Sequence, residues 1–316
     1  MGFEGLLGND QLKENLSAAR RKGRMSHFYL LSGPRGAGKH TLADLIAAAM
    51  LCREPDGPCG VCRSCRKVLG KSHPDYITID DPEKKIIPVK LVREARTDMY
   101  IQPNEGQKKI YVFPRAQDLN LEGQNALLKV LEEPPPYGVF LLLTDNPEKL
   151  LPTVRSRCVE LKLRSLPEGL LRQKLSMEFP DADPERISAA ISRSGGYLGQ
   201  ARELLSGEGL SENARAFAAA FAARDTFGLQ KLLTPMEKWK REAMIAGLGE
   251  WLELLEQALI VRSGLSAVTP EAAAIGAGRS PRDLMRCCDT LKKAMAYAQG
   301  NVSCAAISGW LTWELR

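Results

Sequence analysis

The segment GPRGAGKH at residues 33–40 constrains the fold more than any other part of the sequence. It follows an apolar run at 27–32, which predicts a strand, and it opens a helical pattern at 40–51. Glycines at this place let backbone N–H groups turn toward an anion, and the lysine can reach terminal phosphates. The order of strand, loop and helix predicts a phosphate-binding loop (P-loop) in an α/β domain. The residues of this candidate phosphate site are Gly33, Gly36, Gly38, Lys39, His40 and Thr41.

The rest of the N-terminal half alternates between strand and helix patterns. Apolar runs at 109–113 and 139–144 predict two further buried strands. A helix at 121–133 lies between them and ends at three prolines, where a helix cannot continue. Another helix is predicted at 9–22. Strands that alternate with helices predict a mostly parallel sheet that is covered on both faces.

After about residue 164 the strand patterns give way to helical ones. Helices are predicted at 168–179 and at 184–205, the second broken near Gly195 and Gly196. Within 240–262 the apolar residues recur at helical spacing. A chain of this length is expected to form more than one domain. We predict an α/β domain at 1–164, a small helical lid domain at 165–208 and an all-helical collar domain at 209–316.

The composition is that of an ordinary globular protein, with 44% hydrophobic and 26% charged residues. No apolar run approaches the roughly 20 residues that cross a bilayer, and the N-terminus shows no secretory signal. We therefore expect a cytoplasmic protein without a membrane partner. The net charge of +6 is spread along the chain, which permits contact with nucleic acid without demanding it.

Four of the eight cysteines lie within fourteen residues. They are Cys52, Cys59, Cys62 and Cys65. Four thiolates in one short loop match the tetrahedral donor set of structural zinc, and they leave no open position for a catalytic metal. In a cytoplasmic chain such a cluster indicates a metal before disulfides. Free thiols and a redox pair remain the alternatives.

The P-loop lacks the side chains that ATP hydrolysis needs. His40 stands where a Ser or Thr hydroxyl would bind Mg²⁺, and an imidazole is a poor ligand for a hard cation. Thr41 comes one residue too late. The strand at 109–113 ends in Pro114 and Arg115, although carboxylates are needed there to hold the metal and activate water. We therefore predict that the chain binds ATP weakly or not at all and does not hydrolyse it.

Several motifs in a fixed order resemble those of one family. The P-loop is followed by the four-cysteine insertion and His-Pro-Asp at 73–75, by NALLKVLEEPP at 125–135 and by PTVRSRC at 152–158. This order resembles bacterial clamp-loader subunits of the delta-prime and gamma/tau type, which have an AAA+ fold. The resemblance covers most of residues 5–165 and is weaker in the helical remainder.

The resemblance implies a function within an assembly. Family members form a heteropentamer, with gamma/tau and delta-type subunits, that opens a ring-shaped sliding clamp and places it on primer–template DNA. Gamma/tau subunits hydrolyse ATP, whereas delta-prime lacks a working site. The damaged P-loop therefore places this chain with the delta-prime type of the DNA polymerase III clamp loader.

The resemblance also implies one residue that acts on a neighbouring subunit. In the family, the arginine of Ser-Arg-Cys projects into the adjacent ATP site, and here that residue is Arg157. A guanidinium in that place stabilises charge on the γ-phosphate in trans. A solvated surface pair for Arg157, and Arg155 as the true finger, remain open. Gly199 stands where the family has a nucleotide-sensing arginine.

Two other functions remain open on the sequence alone. The chain could be an active ATPase of the gamma/tau type. It could also be a zinc-dependent DNA-binding module, because basic residues surround the cysteines. These basic residues are Arg53, Arg63, Arg66 and Lys67.

Overall fold

The computed structural model describes residues 2–206, 210–263, 269–300 and 302–315. The chain divides into two compact units, Met1–Pro167 and Glu168–Arg316. The boundary between lid and collar that we predicted at 208/209 falls outside the described residues. The scheme of three domains therefore stays a prediction.

The first unit is an α/β domain built on five strands. The strands are β1 (Phe28–Ser32), β2 (Tyr76–Thr78), β3 (Lys109–Phe113), β4 (Gly138–Thr144) and β5 (Val159–Lys162). The helices are α1 (Asp10–Arg21), α2 (Lys39–Leu51), α3 (Arg63–Leu69), α4 (Val89–Asp98), α5 (Leu121–Glu132) and α6 (Pro152–Arg155). All five strands run parallel in the order β2-β3-β4-β1-β5. The predicted parallel α/β sheet is confirmed.

The central strands are apolar at nearly every position because both faces of the sheet are covered. Successive side chains of a strand point to opposite faces. In β1, Tyr29 and Leu31 therefore join a core with residues of α1 and α2, whereas Phe28 and Leu30 join a second core with residues of α4 and α5. Phe140 of β4 stacks on Phe28, with ring centroids 5.7 Å apart. Each face thus has its own continuous core.

The second unit is helical throughout its described residues. Its helices are α7 (Glu168–Glu178), α8 (Pro184–Arg193), α9 (Leu198–Ser206), α10 (Glu212–Ala222), α11 (Thr226–Met236), α12 (Arg241–Arg262), α13 (Pro270–Gly278), α14 (Pro281–Gln299) and α15 (Cys304–Glu314). The predicted break after α8 is confirmed: Gly195 and Gly196 have φ of 58° and 87°, a left-handed conformation that favours glycine.

The core of the second unit follows the helical periodicity of α12. Met244, Leu248, Trp251 and Leu255 are fully buried on one side of this helix. Trp251 stacks on Phe217 of α10, with ring centroids 4.2 Å apart. No helix among the described residues is long and apolar enough to cross a membrane.

Candidate functional site

The P-loop lies at the carboxyl end of β1, beside the end of β4. Ser32 and Thr144, the last residues of these two strands, are paired in register. The N–H of Gly33 then donates to the carbonyl of Thr144 at 3.2 Å. Because the strands are parallel, this is the edge at which α/β sheets bind ligands.

The backbone of the P-loop keeps the shape that an anion site needs. Gly36 and Gly38 have φ of 77° and 97°, which side chains rarely adopt. Gly38 is also the residue that precedes α2, and no side chain caps this helix end. The first N–H groups of α2 therefore face the loop, as in sites that bind phosphate.

Lys39 is buried, and its ammonium group is satisfied within the chain. Its Nζ donates to the carbonyl oxygens of Gly33, at 2.6 Å, and Pro34, at 2.9 Å. It also forms an ion pair with the carboxylate of Asp145, the residue that follows β4. An ammonium has three N–H donors, so these three acceptors account for all of them.

The metal-binding position of the loop has no oxygen ligand. Partial desolvation lowers the pKa of His40, and nearby Lys71 lowers it further. An imidazole offers nitrogen, not oxygen, to a cation. Thr41 is exposed on the following position of α2. One turn further along, Asp44 pairs with Lys71 and accepts the hydroxyl of Tyr76 at 2.5 Å. The carboxylate of Asp44 is therefore already committed.

The end of β3 carries Pro114 and Arg115 instead of acids, and Arg115 has a structural task. Its Nη2 pairs with Asp80 at 2.6 Å and donates to the carbonyls of Asp81, at 3.1 Å, and Lys84, at 3.2 Å. The hydrogen bond to Asp80 raises the pKa of the guanidinium. At the end of β3, where catalytic carboxylates would be expected, a cation thus binds the segment that follows β2.

The four cysteines come together as the sequence predicts. All four sulfur atoms lie within 4.8 Å of one another. The Sγ atoms of Cys52 and Cys62 are 3.9 Å apart, and so are those of Cys59 and Cys65. A tetrahedral zinc ion with Zn–S bonds of about 2.3 Å places its sulfurs about 3.8 Å apart. The cluster can therefore hold a metal ion such as zinc.

The cysteines are anchored by two helices, which corrects our prediction of one short loop. Cys52 follows the last residue of α2, Cys62 precedes α3, and Cys65 lies in the first turn of α3. Gly57 packs against Cys52, since a Cβ at position 57 would lie 2.7 Å from the Cβ of Cys52. The chain between the helices thus makes a close approach that only glycine permits.

Local hydrogen bonds prepare one thiol for metal binding. The N–H groups of Cys62 and Val61 donate to Cys59 and lower its pKa to about 6. Burial instead raises the pKa of Cys65 to about 12 and also raises that of Cys52. The thiolate is the form that binds zinc, so Cys59 is more ready to bind it than Cys52 or Cys65.

The sequence analysis assigned no role of its own to Asp75, a buried carboxylate. Asp75 is fully buried and accepts the N–H groups of Asn104, Glu105 and Gly106 at 2.6, 2.8 and 2.7 Å. Burial alone would raise the pKa of Asp75, but these hydrogen bonds outweigh it and lower the pKa. The adjacent His73 is buried, and burial lowers its pKa. Asp75 thereby fixes the segment that leads into β3.

Arg157 lies two residues after α6 and is exposed. Its Nη2 pairs with Glu132 at 3.0 Å, and its Nη1 donates to the carbonyl of Thr153 at 2.9 Å. The rival Arg155 pairs with Glu148 at 2.9 Å. Both arginines are thus held in ion pairs, and Arg157 is more exposed than the half-buried Arg155. The assignment of an arginine finger stays a prediction. Burial raises the pKa of the neighbouring Cys158 to about 12.

Comparison with known proteins identifies the family. The profile of the family described as "DNA polymerase III, delta subunit" matches residues 8–167, which is half of the chain. The chain belongs to the DNA polymerase III clamp-loader family of delta-prime type. The resemblance inferred from the motifs is thereby confirmed, and the parallel sheet with a P-loop after β1 is the AAA+ fold class that it implied.

Individual relatives in this clamp-loader family match different extents of the chain. The chain is 36% identical to DNA polymerase III subunit delta' of Pseudomonas aeruginosa over 59% of its own length and 58% of that protein. It is 30% identical to subunit tau of Escherichia coli over 87% of its own length and 45% of that protein. The chain thus matches about half the length of these relatives. A gamma subunit-related structure from Thermotoga maritima aligns with a TM-score of 0.49 and 15% identity, over 95% of this chain and 99% of that one.

Proposed function

We propose that the chain acts as a delta-prime-type subunit of the DNA polymerase III clamp loader and does not itself hydrolyse ATP. One observation carries the proposal: a member of this family keeps the P-loop backbone but lacks the groups that hold Mg²⁺ and activate water. His40 supplies no hydroxyl, and Arg115 is committed to Asp80. Loss of both elements removes metal binding and water activation together.

The partners in this proposal are the gamma/tau and delta-type subunits of a heteropentamer, the sliding clamp and primer–template DNA. The chain would contribute a rigid framework rather than a motor. Structural zinc at Cys52, Cys59, Cys62 and Cys65 would stabilise the α2–α3 corner, where the two helices meet at the cysteines, without taking part in chemistry.

The proposal gives Arg157 the role of a finger that acts on a neighbour's ATP. Its ion pair with Glu132 is exposed on both sides, with 36% and 54% of the two side chains accessible. Exposed pairs contribute only about 0–1 kcal/mol, so Arg157 can leave Glu132 at little cost when a phosphate is offered. Its planar guanidinium then makes paired bonds to phosphate oxygens.

The test is the ATPase rate of reconstituted pentamers that contain the Arg157→Ala chain. We expect hydrolysis at the ATP site next to this chain to fall by about 10³-fold, the typical contribution of an arginine finger, and the DNA-stimulated rate of the pentamer to fall by the share of that site. Assembly and the thermal stability of the chain should remain unchanged, since both partners of the lost pair are exposed. Arg155→Ala is the matched control, because it removes an arginine ion pair from the same short segment. A drop with Arg155→Ala alone would move the role to Arg155, and no drop with either would reject it.

Two rival functions have direct tests. An active ATPase would show Mg²⁺-dependent turnover by the isolated chain that disappears in Lys39→Ala. A zinc-dependent DNA-binding module is favoured by Arg53, Arg63 and Arg66, which are exposed and form no ion pair among the described residues. The ion pair of Lys67 with Glu105, at 2.5 Å, argues against a DNA-binding role for this lysine. DNA binding that falls steeply with salt and disappears when these arginines are neutralised would support the second rival.

A further inference from the structure

The end of β4 delivers a carboxylate to the lysine of the P-loop. Because β1 and β4 are neighbours and Ser32 pairs with Thr144, Asp145 emerges beside the first residues of the loop. Its own N–H donates to Gln117 at 3.4 Å, and the next N–H, of Asn146, donates to the Thr144 hydroxyl at 3.1 Å. Asp145 is therefore held by its neighbours along the chain and in space.

This carboxylate offers Lys39 the same chemistry as a phosphate. An anionic oxygen is what a P-loop lysine meets when a nucleotide binds. We propose that Asp145 acts as an internal substitute for a terminal phosphate and keeps ATP out of the loop. The inference rests on the proposed function, in which this subunit works without nucleotide, and it names the residue responsible.

The charges around Lys39 favour its ion pair with Asp145 over a bound phosphate. The Lys39 side chain is only 7% exposed, whereas that of Asp145 is 48% exposed. The pair is therefore less screened by solvent than a surface pair. A phosphate that reached Lys39 would have to displace Asp145 and would leave its carboxylate beside the incoming negative charge. Like charges at such distances repel strongly, and His40 provides no magnesium site to offset them.

The test is direct titration of the full-length chain with ATP, with and without Mg²⁺, by isothermal titration calorimetry. The informative variant is Asp145→Asn, which removes the charge and nearly preserves the shape. We expect its affinity for ATP to rise at least about tenfold over the wild type, because a like-charge repulsion is removed. The double variant Lys39→Ala with Asp145→Asn should lose this gain.

The matched control is Glu122→Gln, since Glu122 pairs with an arginine, Arg93, elsewhere in the same unit. It changes the net charge by the same amount, so unchanged affinity there shows that a gain in Asp145→Asn is local. Asp145→Ala provides a second variant if the asparagine disturbs the loop. An affinity that stays at the wild-type value in both Asp145 variants overturns the inference, and so does an equal gain in Glu122→Gln.

Turnover measured on the same samples separates this inference from the proposed function. Binding gained without hydrolysis supports both. Hydrolysis by the wild type, or by Asp145→Asn, contradicts the proposed lack of catalytic groups. No gain in binding together with no hydrolysis rejects only the role of Asp145.

Discussion

The P-loop and the cysteine site lie at the two ends of the same helix, α2. They differ in what they retain: one has the backbone shape of its motif, and the other has the ligands. The P-loop keeps its backbone shape, with left-handed Gly36 and Gly38, but lacks the oxygen ligands of a metal site. The cysteine site keeps all four donors at spacings that suit zinc. The backbone shape of a P-loop thus does not depend on the oxygen ligands of a metal site, whereas a structural zinc site needs all of its ligands.

The largest effect is expected when two of the four cysteine ligands are removed. We expect the double variant Cys62→Ser with Cys65→Ser to lose its zinc, from about one ion per chain to almost none, because structural zinc contributes roughly 10–16 kcal/mol of binding free energy. Elemental analysis of the purified chain measures this. The control is Cys158→Ser with Cys304→Ser, two thiols outside the cluster, which should keep the zinc. Full retention in the first variant would reject the site.

The next test concerns a part of the first unit that is stabilised by a buried carboxylate instead of a metal. Asp75→Ala leaves the N–H groups of Asn104, Glu105 and Gly106 without their acceptor. We expect a loss of about 3 kcal/mol in the free energy of unfolding, since each unsatisfied buried donor costs roughly 1–3 kcal/mol. Denaturant unfolding measures it, with the exposed Asp56→Ala as control. A loss no larger than that of the control would contradict the proposed anchor.

The pH dependence of the same variant provides a second measurement. The pKa of Asp75 is lowered in the folded chain, so its stabilising contribution is present above the ordinary aspartate pKa of about 3.9 and is lost as the pH falls through the lower, folded value. The difference in unfolding free energy between wild type and Asp75→Ala should therefore shrink below about pH 4. A difference that grows on acidification would mean that the pKa is raised instead.

The smallest expected effect concerns the end of β3. Arg115→Ala removes the partner of Asp80, whose side chain is only 16% exposed, and we expect it to cost about 1–2 kcal/mol of stability. Thermal unfolding measures this cost. Arg155→Ala is the comparison, because its partner Glu148 is 77% exposed, and its cost should stay within about 0.5 kcal/mol. Equal costs would show that Arg115 is not a structural clamp.

What the sequence predicted depends on how local each signal is. β1, β3 and β4 were found because burial on both faces makes them continuous apolar runs. β2 has only three residues, and β5, with the sequence VELK, is mostly exposed, so these edge strands produce weak patterns. Helix α4 follows Pro88 without a side-chain cap and was also missed.

The residues of the candidate sites were also predictable only where their signal is local in the sequence. The cysteines cluster in the sequence, and their convergence was predicted. The partners of Asp75 lie about thirty residues further on, and the partner of Lys39 lies 106 residues away. Only the adjacency of parallel strands brings such residues together, and no local pattern encodes it.

The contacts of Arg115 also determine what an acid at the end of β3 would cost. A hydrolytic site in this fold needs an acid at the end of β3. Replacing Arg115 by an acid would release Asp80 and the carbonyls of Asp81 and Lys84 and would place like charges side by side. Such a substitution would therefore lower stability by itself, and it would not supply a hydroxyl at position 40. The contacts of Arg115 therefore tie the stability of the segment after β2 to the absence of an acid at the end of β3.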